Sequence, residues 1–171
     1  MNPFATFVRE AEAHITDPYA VADRLGDLLA DDGWLAPEHR RPGTDSYRQH
    51  LLHVSSCRRM SVVSLVWLPG QDTPIHDHVA WCVVGVYRGT ERETRYRLVD
   101  AGGRRCLQPI GSVEAHPGHV EVLVPPADNI HSVAAAGDDT TISIHVYGAD
   151  IERLGSSVNR CFDHLPLLAP A

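Results

Sequence analysis

His76 and His78, in the stretch PIHDH, stand one residue apart just ahead of an apolar run, and Ser143, His145 and Tyr147 alternate through TTISIHVYG. Successive side chains of a strand point to opposite faces, so each set shares a face when its segment is extended, with Asp77 turned the other way. Two imidazoles side by side in a partly buried strand repel when protonated and cost desolvation when unpaired. A shared cation accounts for them economically; a pair of surface histidines is the plain alternative. The serine, histidine and tyrosine can relay hydrogen bonds, His145 holding the Tyr147 hydroxyl toward a cavity, although a solvated strand face would alternate in the same way.

These residues need strands to hold them, and the pattern supplies strands after a helical start. Phe4, Phe7, Val8 and Ala11 recur at helical spacing. Asp17 followed by Pro18 is a cap with a first-turn proline, and Val21, Leu25, Leu28 and Leu29 make one stripe of a second helix. APEHRRPGTDS, residues 36–46, reads as a loop by its prolines, glycine and charges. From there to about residue 148 come the short β-rich runs YRQHLLHV, MSVVSLVWL, AWCVVGVY, ETRYRLV, HVEVLVP, HSVAAA and TTISIHVYG, with turn residues between them and no helical periodicity. This predicts an antiparallel sandwich or barrel over 46–148, behind helices in 1–35 and ahead of a tail, 149–171, with one short helix.

A chain of 171 residues with 43% hydrophobic content is the size of one domain and can bury a core without staples. No run approaches the apolar length of a membrane span, and the N-terminus carries charges where a signal peptide needs apolar residues, so a soluble cytoplasmic protein is expected. The formal charge of -7 argues against nucleic-acid and anionic-membrane partners and for a small-molecule ligand. All fifteen basic residues are arginine, which excludes Schiff-base chemistry on a lysine. The four cysteines, Cys57, Cys82, Cys106 and Cys161, show no metal spacing and are expected to be reduced thiols. Monomer and homodimer are both open.

Gly70 lies six residues before His76, Pro74 leads into the histidine pair, and Gly89 follows His78 by eleven. This spacing resembles the first cupin motif, with Cys82 where that motif has a glutamate. Pro126 to His131 resembles the second, with Asp128 in place of its glycine. The resemblance implies an all-β double-stranded β-helix holding a metal on His76, His78 and His131. Three neutral imidazoles without a carboxylate leave a divalent ion its full charge and open positions, which suits an anionic thiolate. A reducing compartment and a soft ligand favour Fe(II) and dioxygen; a zinc or nickel site doing hydrolysis or isomerisation is the rival, and a non-catalytic ligand-sensing cupin is a third reading.

With SIHVY added, Tyr47 to Asp150 resembles the cysteine dioxygenase family of thiol dioxygenases, closest to its bacterial 3-mercaptopropionate dioxygenase-like branch. That resemblance implies an Fe(II) enzyme that adds both atoms of O2 to the sulfur of a small carboxylate-bearing thiol, 3-mercaptopropionate or cysteine, giving a sulfinate. It assigns the iron to His76, His78 and His131 and the outer relay to Ser143, His145 and Tyr147. Gln49, in YRQ, stands where animal members carry a carboxylate-binding arginine, and glutamine there resembles the 3-mercaptopropionate branch. The arginine of that branch falls at Ser156, so the flanking Arg153 and Arg160 are the candidates for the substrate carboxylate. Cys82 matches the cysteine that animal members join to the tyrosine, which implies a Cys82–Tyr147 thioether; a small cysteine that merely packs is the other reading.

Overall fold

Two helices grow from their caps. In the computed structural model, which describes residues 2–127 and 129–170, the side chains of Asn2 and Asp17 accept from the first free backbone amides of α1 (Pro3–Ala13) and α2 (Pro18–Leu29), each of which starts on a proline. The α2 stripe of Val21, Leu25, Leu28 and Leu29 is buried together with Phe7 and Ala11 against Val62, Val66, Val83, Ile142, Ile144 and Val146. Each such fully buried aliphatic side chain contributes about 1.5–3 kcal/mol. The loop 36–46 holds a short 3-10 turn, Pro37–Arg40.

Among the described residues the strands are β1 (Arg48–Val54), β2 (Ser61–Trp67), β3 (His76–His78), β4 (Cys82–Arg88), β5 (Glu91–Asp100), β6 (Arg105–Ala115), β7 (Val120–Leu123), β8 (Ile130–Ala135), β9 (Thr141–Tyr147) and β10 (Val158–Cys161). They form two antiparallel five-stranded sheets, ordered β1-β2-β9-β4-β7 and β10-β3-β8-β5-β6. This is the all-β architecture expected from the motifs. Alternation divides the first sheet cleanly. One face of β2, β4 and β9 meets the helices, while Val63, Leu65, Trp67, Cys82, Val84 and Tyr147 turn the other way and pack with Leu123 and Val133 in a second core.

Two strands escape the sequence pattern. β6 carries Pro109 and Gly111 mid-strand, yet it is the edge strand of its sheet, bridged on its outer side at Leu107 by Leu167 of the tail, so a missing ladder donor at Pro109 is tolerated, opposite a register shift at Arg95/Tyr96. β10 lies in the tail beyond the expected short helix, α3 (Ile151–Leu154), and pairs with β3. Between β4 and β5 the chain reverses at Gly89, whose φ is +79° and where an added Cβ would lie 2.8 Å from the Thr141 Cα; a residue with a side chain would have to displace backbone. All four cysteines are free thiols. Among the described residues no helix is long and apolar enough to cross a membrane.

Candidate metal centre and hydrogen-bond relay

β3 is only three residues long and buried throughout. It meets β8 at a single pair, His76 opposite His131, and is flanked on its other side by β10. The three imidazole rings form a triangle with centroid separations of 4.8, 4.8 and 5.0 Å, and one nitrogen from each lies within 4.8 Å of the others. Among the described residues this is the cluster able to hold a metal, and no carboxylate belongs to it.

Each ring is fixed from behind by an acceptor. Nδ1 of His76 bonds to the Pro74 carbonyl at 2.8 Å, Nδ1 of His78 to Asn129 Oδ1 at 3.0 Å, and Nδ1 of His131 to Glu93 Oε1 at 2.8 Å. An acceptor on Nδ1 requires the proton there, which leaves every Nε2 lone pair free for a common ion. Burial, reinforced by the neighbouring imidazoles, lowers the pKa of His76 to about 4 and that of His78 to about 3, so both rings are neutral ligands at physiological pH. Burial works to raise the Glu93 carboxyl, but the hydrogen bonds and charges of His131 and Arg95 outweigh it and hold the group below its ordinary value. The residues present therefore fit a divalent transition metal bound by three nitrogens.

Asp77 points away from the cluster, as its place between the two histidines requires. Its Oδ2 accepts from Arg160 Nε at 2.9 Å, and that guanidinium lies 5.2 Å from the Phe162 ring centroid. Asp163 accepts the Ile75 amide at 3.1 Å, so the tail clamps the strand that carries two of the three histidines.

On β9, Ser143, His145 and Tyr147 share the inner face and are all buried. Ser143 Oγ lies 2.9 Å from His145 Nε2, and the Tyr147 hydroxyl lies 3.2 Å from His145 Nδ1. The Trp67 indole donates to Ser143 Oγ at 3.3 Å. Burial, with the neighbouring imidazoles, keeps His145 far below its ordinary pKa and therefore neutral, and burial keeps Tyr147 protonated. The Tyr147 ring stands 6.2 Å from that of His78, so the relay ends beside the cluster. Cys82 is directly opposite Tyr147 across β4 and β9, with its Sγ 4.0 Å from His145 Nδ1.

A cavity opens onto the three histidines and Tyr147; Tyr47, Gln49, Trp67, Thr73 and Ser157 contribute to its wall. Gln49 is thus in contact with the cavity. Arg153 is exposed on α3 and Arg160 is engaged by Asp77, and neither lines it. His50 and His53 lie apart, bonded to the Arg41 carbonyl and to Glu12. Asn129, Glu91 and Glu93 escape a reading of the sequence. Their one signal is the spacing in ERE, which puts both glutamates on the same face of a strand. Asp128, which fills the glycine place of the second motif, lies outside the described residues.

No protein-family model matches the chain. A solved structure of oxalate oxidase superposes with a TM-score of 0.51 at 16% identity, covering 70% of this chain and 61% of that one. A conserved protein with a double-stranded β-helix domain from Klebsiella pneumoniae subsp. pneumoniae MGH 78578 gives a TM-score of 0.49 at 18% identity, over 66% of this chain and 80% of that one. Oxalate decarboxylase of Bacillus subtilis, a protein with Mn(II) centres, gives 0.47 at 13% identity, over 63% and 27%. The fold is the cupin double-stranded β-helix; at these identities the likeness extends to the fold.

Proposed function

We propose that the protein is a mononuclear Fe(II) thiol dioxygenase that converts a small thiol, 3-mercaptopropionate or cysteine, to its sulfinate. The observation that carries this reading is that a neutral three-imidazole cluster and a buried tyrosine relay open into one cavity. His76, His78 and His131 would hold the iron, which when bound supplies a site for the thiolate and for dioxygen. Both oxygen atoms end on sulfur, which gives up the electrons that dioxygen takes, so no external reductant enters.

The chain's own residues bind and orient. Burial raises the Tyr47 pKa, so its hydroxyl remains a donor, and with the Gln49 amide it can meet the substrate carboxylate without a cation. Tyr147, oriented by His145, can donate to a reacting oxygen or receive the thiol proton. With dioxygen as oxidant, reduced to hydrogen peroxide as it takes up both hydrogens, Cys82 can lose its thiol hydrogen and Tyr147 a ring hydrogen to form a thioether, for which their facing register is favourable.

Oxygen uptake and sulfinate formation by the iron-loaded protein test this reading against 3-mercaptopropionate, cysteine and cysteamine. Consumption of one O2 per sulfinate is expected with at least one of the two carboxylate thiols. No uptake with any thiol, or stoichiometric zinc or nickel in the protein as purified, overturns it.

A further inference from the structure

On the far side of the relay lies an acid that the proposed chemistry has not used. Glu91, on β5, is 2% exposed and lines a second, small cavity together with Glu93, His119, Glu121 and His131. Its Oε1 is buried without a hydrogen-bond partner. The Ser143 hydroxyl of β9 and the Trp67 indole of β2 stand near enough to its carboxyl to oppose the rise in its pKa, although neither is hydrogen-bonded to it, the indole donating to Ser143 Oγ instead. Glu93, two residues along the same face of β5, adds a like charge.

We propose that Glu91 is the proton-holding terminus of the Ser143–His145–Tyr147 relay, taking up the proton that a thiol loses as it binds in the histidine cavity. The proposal rests on the thiol reading for the origin of that proton; the relay geometry stands independently of it.

Two complementary hydrogen-bond patterns can satisfy the whole chain once the Ser143 hydroxyl turns to the neighbouring carboxyl. With Glu91 ionised, Ser143 would donate to the carboxylate, while His145 Nε2–H donates to Ser143 and Tyr147 donates to His145 Nδ1; the Trp67 indole fills the second lone pair of Ser143. A proton arriving on the Tyr147 oxygen lets every bond reverse. Tyr147 passes its own proton to Nδ1, Nε2 passes one to Ser143, and Ser143 passes one to Glu91. The S–H bond is broken and a carboxylic O–H is made, with no change of oxidation state. His145 never becomes an imidazolium, in keeping with its burial. Burial first, then the Glu93 charge, pushes the Glu91 carboxyl up to about 7, where it can accept or release a proton at neutral pH. Groups facing it across its cavity are His119 and Glu121, themselves paired at 2.9 Å, and His131.

The test is proton counting during anaerobic thiol binding to Co(II)-loaded protein, with the thiolate charge-transfer band reporting occupancy and a pH indicator reporting release. A thiolate bound in the histidine cavity adds a negative charge that raises the Glu91 pKa further. Wild type is therefore expected to release fewer protons than thiols bound, with the deficit largest just above about pH 7, where Glu91 is ionised before binding and protonated after it. Glu91→Gln should release one proton per thiol throughout. One-for-one release by both proteins overturns the proposal. Infrared titration of the same holoprotein without thiol gives a second arm. The carbonyl stretch of a buried carboxylic acid should titrate near neutrality, vanish in Glu91→Gln and shift in Ser143→Ala; a band unmoved by either change overturns the proposal. A missing charge-transfer band in wild type sinks the thiol reading and leaves the infrared result to decide the role of Glu91 in the relay.

Discussion

The hydrogen bond between Glu93 and His131 yields the most direct quantitative test of the metal centre. The bond is 2.8 Å long, its donor ring is 2% exposed, and its acceptor also receives Arg95 Nε at 3.3 Å. It fixes the tautomer that presents Nε2 and makes the ring a stronger donor to a cation. Loss of such an outer partner costs about 10–100-fold in metal affinity, or about 1.4–2.7 kcal/mol. Glu93→Gln retains the length and one acceptor oxygen, so it belongs at the lower limit. Glu93→Ala leaves the buried Nδ1–H without an acceptor, an added cost of about 1–3 kcal/mol shared between folding and metal binding, so it belongs at the upper limit. Competition of Co(II) or Zn(II) between protein and a calibrated chelator, at neutral pH and with folding checked by circular dichroism, reads the affinity. A folded Glu93→Ala protein that binds within about twofold of wild type would refute the role given to this pair, since an outer partner of this kind carries at least about tenfold.

Three further outcomes follow from the packing and the charges. His76 and His78 have folded pKa values of about 4 and about 3 against 6.5 unfolded, so the folded state binds fewer protons and metal-free protein should lose stability as pH falls below about 6.5, by about 3 kcal/mol for His76 alone. Glu91, raised to about 7 from 4.5, acts with the opposite sign, and its contribution is lost as pH rises from about 4.5 to about 7; urea melts of Glu91→Gln should therefore show a steeper rise with pH over that range than wild type, and an unchanged slope would contradict these assignments. At Gly85 an added Cβ would sit 2.6 Å from Leu29 Cδ1 and 2.8 Å from Leu25 Cδ2, so Gly85→Ala should cost about 1–3 kcal/mol in denaturant unfolding, and no loss would mean that α2 does not dock there as described. Intact mass of protein turned over with iron, thiol and oxygen should show loss of two hydrogens that disappears in Cys82→Ala; an unmodified mass would assign Cys82 to packing alone.

The helices and most of the strands are legible from their apolar residues: one-sided stripes at helical spacing in α1 and α2, and runs buried on both faces in β2 and β9. His76, His78, Ser143, His145 and Tyr147 announce themselves by types that have little reason to alternate in an apolar strand. What stays hidden is polar material inside the barrel. ERETRYR looks like a solvated strand because its inward residues, Glu91 and Glu93, are as charged as its outward ones, and only the tertiary fold shows that these two carboxyls are buried. Asn129 is invisible for a different reason: its partner is 51 residues away and no local pattern links it to His78. Arg153 and Arg160 illustrate the converse. The resemblance points to them because they flank Ser156, while neither lines the histidine cavity and Asp77, behind β3, holds Arg160.

The strand that carries two of the three histidines has little hold of its own. It is three residues long, shares one residue pair with β8, and relies on β10, Asp163 and the Arg160–Asp77 clasp from the last stretch of the chain. During synthesis, the histidine cluster would thus be assembled only when the segment from β10 to Asp163 emerges and docks. A chain cut before β10 would present loose imidazoles with little grip on any metal.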